Sequence, residues 1–299
     1  MSEAPTGLRP REAAPAVAGP AAVHRPRPPR RGARAAYWAG IGALVFVMLL
    51  PFLWMLGTSL MDELSVFRFP PPLVPVPPRP RNYLEAWNAL PFARFYVNSL
   101  VFAAAVVLGQ VSTSALAAYA FARLDFPGRD RLFVLVLSVL MIPAIVLLIP
   151  RFLLISAFGW VDTFPGLIST ELVSVWGIFL LRQFFLSIPR ELEDAARLDG
   201  AGSWTIFTRI ILPLSRPALI TLALFAFVDA WKNFLWPLIA TRSMEMRTVE
   251  VGIASFHSYF YANWPYQMAS AVTAIVPILI VFFAAQRYFV RGIQLTGLK

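Results

Sequence analysis

The chain has 299 residues, of which 58% are hydrophobic and only 14% charged, with a formal net charge of +10. Soluble globular domains run at roughly 45–50% apolar and about 25% charged, so a fold packed around one water-excluded core is ruled out, and lipid is the solvent for most of the sequence. The chain has no cysteine, which excludes disulfides, thiolate-ligated zinc and a thiol nucleophile, and its two histidines, His24 and His257, leave little material for a metal site or a triad.

In chain order, residues 1–35 are Pro, Ala, Gly and Arg without apolar periodicity, which predicts a disordered basic tail. The apolar run beginning at Tyr37 is longer than a signal-peptide core and lacks a small-residue cleavage site, so it is expected to stay as a span. Apolar blocks follow near 37–58, 92–121, 132–150, 167–186, 217–240 and 269–290. Each is about long enough to cross a ~30 Å hydrocarbon core, which takes about 20 helical residues. Lipid leaves an unpaired backbone amide without a partner, so all should be helices. The predicted fold class is therefore all-α: a polytopic membrane protein of six transmembrane helices occupying 36–299. Pro51, Pro143, Pro237 and Pro277 fall in or near spans and should kink them. Gly40-Ile41-Gly42 lies inside an apolar block and reads as helix packing, not as a nucleotide fingerprint.

The basic residues flank the blocks, which points to membrane orientation and not to nucleic acid. With the N-terminus inside, the inner side receives the tail arginines, Arg123, Arg129, Arg131, Arg182, Arg190, Arg197, Arg209, Arg216 and the C-terminal group. The outer side receives fewer: Arg68, Arg79, Arg81, Arg94, Arg151, Arg242 and Arg247. The positive-inside rule then puts both termini and loop 187–216 in the cytoplasm. Outside, the proline-rich stretch 70–80 should be extended and stiff. The aromatic stretch 255–267 suits either an interfacial belt or a contact for an external partner.

Loop 187–216 carries most of the chemistry. Glu191 to Asp199 alternate charges with Leu192, Ala195, Ala196 and Leu198, which predicts a short helix with its acids toward the N-terminus. Gly200 and Gly202 allow a tight turn, Ser203 can cap a second helix, and Trp204, Phe207, Ile210 and Ile211 give that helix an apolar stripe that Pro213 ends. The run Asp194-Ala195-Ala196, then Gly200, then Ile210-x-Leu212-Pro213 resembles the EAA loop of permease subunits in bacterial ABC importers, with Asp194 where that family usually has Glu. Phe179–Leu192, Trp231–Leu238, Ala118–Leu124 and Gln286–Gly292 resemble the same family, and within it the G-type maltose/oligosaccharide and glycerol-phosphate permeases. Lys232 departs from the small polar or amide residue expected at its place.

The resemblance implies a non-catalytic subunit that translocates a sugar or related solute. Glu191, Asp194, Ala195, Ala196, Gly200, Trp204, Phe207 and Pro213 would couple it to ATPase subunits. Its implied partners are a companion permease, two ABC ATPase subunits holding ATP and Mg, an extracytoplasmic solute-binding protein and membrane lipid. The implied location is the bacterial inner membrane. The sequence shows no P-loop, which agrees with ATP being hydrolysed by a partner. A stand-alone secondary transporter would instead show broken-helix ion sites and an inverted repeat, and a membrane scaffold would lack a wet path.

Asp229 and Lys232 lie three residues apart in the fifth block, on one helical face. They suit either a structural ion pair or a lining for the solute path, with Asn233 beside them. Gln110, Ser112, Thr113 and Ser114 equally suit a path or hydrogen bonds between helices.

Overall fold

The computed structural model describes residues 31–70, 72, 75–257 and 262–296, with the side chains of 31, 33–36 and 287–296 left out. The described residues divide into two compact units between Leu50 and Pro51. The described elements in order are α1 (Arg31–Ser59), α2 (Arg81–Ala89), α3 (Phe92–Arg123), α4 (Arg129–Ser138), α5 (Leu148–Ala157), α6 (Phe164–Ile168) and α7 (Val175–Ser187). They are followed by α8 (Glu191–Leu198), α9 (Ser203–Ile206), α10 (Leu212–Leu214), α11 (Arg216–Trp231), α12 (Leu235–Ala240), α13 (Val249–Ala254) and α14 (Trp264–Thr296). Among the described residues the β pairing is one isolated bridge, His257 with Ala262. The fold is all-α.

Helix α1 begins at Arg31, so residues 31–35 of the expected tail are helical. The rest of that tail, residues 1–30, lies outside the described residues, as do Tyr259, Phe260, Tyr261 and positions 71, 73 and 74 of the proline-rich stretch. Among the described residues three helices are each long and apolar enough to cross a bilayer: Tyr37–Ser59, Phe92–Arg123 and Trp264–Gln286. The count reaches six when each of three bent pairs is taken as one span.

Three of the predicted continuous spans are broken, two of them as bent pairs. Block 132–150 is broken at Ile142–Pro143, where Arg129–Met141 meets Ala144–Ala157 at 93°. Proline has no amide hydrogen to donate and pushes its predecessor out of the helical region, and Ile142 is extended at φ −86°, ψ 119°. Block 167–186 is two pieces, Phe164–Glu171 and Val175–Ser187, bent by 43°. Ser174 restarts the second piece by accepting a hydrogen bond from the Gly177 amide at 3.0 Å. Block 217–240 stops at Trp231 and resumes at Leu235; the Asn233 carboxamide oxygen accepts from the Trp236 amide at 3.3 Å, which starts α12.

Helix α3 is the central element of the second unit and packs against α7, α11 and α13. The α3–α7 contact is close because Gly177 has no side chain: a Cβ there would lie 2.6 Å from the Ser114 hydroxyl. At the end of the molecule away from loop 187–216, Phe92, Phe95, Trp231, Val249 and Phe256 form one apolar cluster. Phe256 and Tyr266 thus pack inward and are not belt residues: Phe256 is buried, and the Tyr266 hydroxyl donates to Glu85 at 2.9 Å. Asp162, at φ +64°, closes the connection after α5. Its amide donates to Ala240 O at 2.8 Å, and its carboxylate accepts from the amides of Arg242 and Ser243 at 2.8 and 3.0 Å. Burial pushes that carboxyl up, but these hydrogen bonds and the Arg242 charge outweigh it and hold the group below the usual carboxylate range.

Candidate functional site

The loop between α7 and α11 is two short helices joined by a tight turn. Helix α8 has Glu191, Glu193 and Asp194 in its first turn and Arg197 in its last, the arrangement its dipole favours. Gly200 ends it with φ +82°. Two bonds close the turn, Ala201 N to Ala196 O at 2.9 Å and Gly200 N to Arg197 O at 3.0 Å, which is a Schellman cap. Gly202, not Ser203, is the N-cap of α9, and no side chain caps it. The Ser203 carbonyl instead accepts from the Tyr119 hydroxyl of α3 at 3.1 Å.

The second helix does not end at Pro213. It continues through a π-helical stretch, Phe207–Ile211, to Leu214, and the Leu212 amide donates to Phe207 O. Proline at 213 removes the next amide, and widening the preceding turn accommodates that loss. The helix axis then turns by 76° into α11 at Ser215, which is fully buried and flanked by Pro213 and Pro217.

The loop's faces are sorted in an unexpected way. Inward, Ile206, Phe207 and Ile211 are buried against Ala115, Ala118 and Ala122 of α3, with Ala196 half-buried beside them. Also inward is Glu193, whose carboxylate meets Arg123 at 3.0 Å, charge against charge, with side-chain exposures of 4% and 2%. Arg123 additionally donates to the carbonyls of Phe185 and of Ile188, the latter at 2.6 Å, at the C-terminal end of α7. One guanidinium therefore fastens α3, α7 and α8 together. Outward are Leu198, 90% exposed, Trp204, 67% exposed, and Leu192, with Glu191, Asp194 and Ala195. Trp204, a member of the expected apolar stripe, lies on its exposed side. A helix that buries an acid and exposes its leucines is patterned for a partner on its outer side.

Substituting Gly200 by valine is expected to uncouple transport from ATP hydrolysis while leaving the chain inserted. No neighbour lies within 4 Å of the site, so the penalty is conformational, about 1–2 kcal/mol for a left-handed residue with a side chain. Asparagine, which tolerates that region, should retain most activity; equal uptake by the valine and wild-type forms, at equal ATPase occupancy, would refute the expectation.

The polar residues of the spans separate into two groups. Gln110, Thr113 and Ser114 of α3 donate to the carbonyls of Glu171 at 2.9 Å, Leu172 at 2.9 Å and Ser174 at 3.3 Å. They satisfy the break in the fourth span by hydrogen-bonding between helices. Asp229 and Lys232 form no ion pair with each other among the described residues. Both are exposed; Asp229 acts electrostatically on Glu171 and Lys232 on Glu250. Arg151, counted by sequence among the outer flanks, is paired with Glu171, donates to Thr170 at 2.8 Å and lies 4.2 Å above the Trp236 ring. The expected helical ending at Gln286–Gly292 is helical in backbone, with side chains from 287 outside the described residues.

The family model for "Binding-protein-dependent transport system inner membrane component" matches residues 110–295. The sn-glycerol-3-phosphate transport system permease protein UgpE of Yersinia pestis is 35% identical over 257 residues, covering 83% of this chain and 92% of its own. The arabinooligosaccharides transport system permease protein AraQ of Bacillus subtilis is 36% identical over 208 residues, covering 70% and 74%. A chain from the crystal structure of a bacterial ABC transporter involved in the import of the acidic polysaccharide alginate aligns with a TM-score of 0.76 at 23% identity, over 88% of this chain and 99% of that one. A chain of the alginate ABC transporter in complex with alginate pentasaccharide-bound periplasmic protein aligns with a TM-score of 0.64 at 16% identity, over 85% and 93%. At those identities the structural likeness is one of fold.

Proposed function

This chain belongs to the family of binding-protein-dependent transport system inner membrane components, and from that premise we propose that it is the permease subunit of an ATP-driven importer of a sugar or related solute. It is a membrane transport component and not a catalyst of covalent chemistry. In this reading an extracytoplasmic binding protein delivers the solute, and the path forms between this chain and a companion permease. Two ATPase subunits bind ATP and Mg, and both termini are cytoplasmic. ATP closes the ATPase pair, and loop 187–216 follows it. The buried Arg123–Glu193 contact and the bend at Ser215 carry that displacement into α3, α7 and α11, opening the path outward. Hydrolysis resets it.

The observation that carries this reading is the inverted face of α8 and α9, with an acid locked inward and Leu198 and Trp204 presented outward. The names of the relatives support a saccharide or polyol-phosphate solute. Reconstitution with the companion permease, the ATPase subunits and the binding protein tests it. Uptake should require ATP and the binding protein together. Uptake driven by an ion gradient without ATP would favour a stand-alone transporter, and no uptake under either condition a scaffold.

A further inference from the structure

Helix α11 buries Leu222, Leu224, Ala226, Ala230 and Trp231; its exposed side carries Phe225 and Asp229, and Lys232 follows on the same side as its C-cap. Spacings of four and three place those residues on one face. Lipid is a poor solvent for that face, because each charge near the bilayer centre costs about 2.5–3.5 kcal/mol on insertion scales. Water or polar partners must therefore cover it. Across from it, the Trp176 ring meets Phe225 edge-on at 5.3 Å, and the two are 41% and 48% exposed. Glu171 and Trp176 flank the break in the fourth span, where the carbonyls of Glu171, Leu172 and Ser174 accept from α3 side chains, so the break is a built feature.

We propose that Phe225, Asp229 and Lys232 of α11, with Trp176 and Glu171, form a subsite for a neutral saccharide on this subunit. The inference rests on the chain being an importer permease. The chemistry selects the ligand. An aromatic face has a negative quadrupole and attracts the C–H face of a sugar ring. A carboxylate accepts hydrogen bonds from ring hydroxyls, and of the two acids Asp229 is the one left to do so, since Arg151 is committed to Glu171, Thr170 and Trp236. Lys232 has the Glu250 carboxyl within electrostatic range. The face as a whole carries more acid than base, which disfavours a phosphate or a uronate.

The test uses the complete reconstituted importer with two probes, arabinotriose and sn-glycerol 3-phosphate, each supplied with its binding protein. Asp229→Asn, which loses a hydrogen bond to a charged group, and Trp176→Leu, which loses an aromatic face for the sugar ring, should each lower kcat/KM for arabinotriose roughly tenfold or more. Binding-protein-independent ATPase activity and yield of complex should not change. Because the chain has no cysteine, Asp229→Cys should also react with a membrane-impermeant maleimide and be protected by arabinotriose. Wild-type rates in both substituted forms would overturn the subsite and leave the importer reading intact. Uptake of the phosphate alone would overturn the choice of a neutral ligand. Absence of ATP-dependent uptake of both probes by the wild type would overturn the importer reading itself.

Discussion

Replacing Arg123 by methionine should destabilise the detergent-solubilised chain by about 3–5 kcal/mol, the usual cost of stranding one member of a buried ion pair. Its partner Glu193 is 4% exposed and cannot recover hydration without pulling α8 off the bundle. Glu193→Leu should cost less, because Arg123 keeps the carbonyls of Phe185 and Ile188 as acceptors. The double substitution should recover part of the loss, and the coupling should exceed 1 kcal/mol for residues in direct contact. Intrinsic tryptophan fluorescence during thermal unfolding reads stability, and uptake reads coupling. Both must fall together if the pair transmits motion. Additive effects, or a stable single substitution that transports normally, would remove the pair from the coupling route.

That pair also shows what the sequence could and could not convey. The positions of loop 187–216, its turn at Gly200 and its two short helices were legible, because turn chemistry and small-residue spacing are local. The direction each helix faces was not. Alternating charge and leucine reads as an ordinary amphipathic helix, and only contact with α3 reveals that Glu193 points in and Leu198 out. The spans were legible as apolar blocks, yet three are broken. Pro143 signalled one break. The break at Leu172–Ser174 has no proline, and it is held open by Gln110, Thr113 and Ser114 from a helix sixty residues away. Gln110 and Ser114 make the interhelical hydrogen bonds that were one of their two expected roles, and the Asn233 carboxamide oxygen starts α12. Asp229 and Lys232 share a face as expected, but each faces an acid from another element and not its neighbour.

Truncating Trp204 to alanine should weaken ATPase association by at least about 2 kcal/mol, roughly thirtyfold, as for an aromatic anchor at an interface. Its side chain is 67% exposed in this subunit, so insertion and thermal stability should stay within about 0.5 kcal/mol of wild type. Leu198→Asp, at a position 90% exposed, should do the same by placing a charge in a drying contact. Asp194→Lys provides the contrast. That carboxylate is exposed and lies only 4.0 Å from Arg197 on its own helix, so it acts at the rim. Its reversal should slow association at low salt and matter little at high salt, because exposed charges are screened within about 8 Å at physiological ionic strength. The Trp204 effect should persist at both salt concentrations, since burial of an aromatic ring is not a Coulomb interaction. Surface-captured ATPase titrated with solubilised permease at two ionic strengths separates the cases. If Trp204→Ala and Leu198→Asp bind as tightly as wild type, the outward face of α8 and α9 is not the docking surface, and the exposed leucines require another partner.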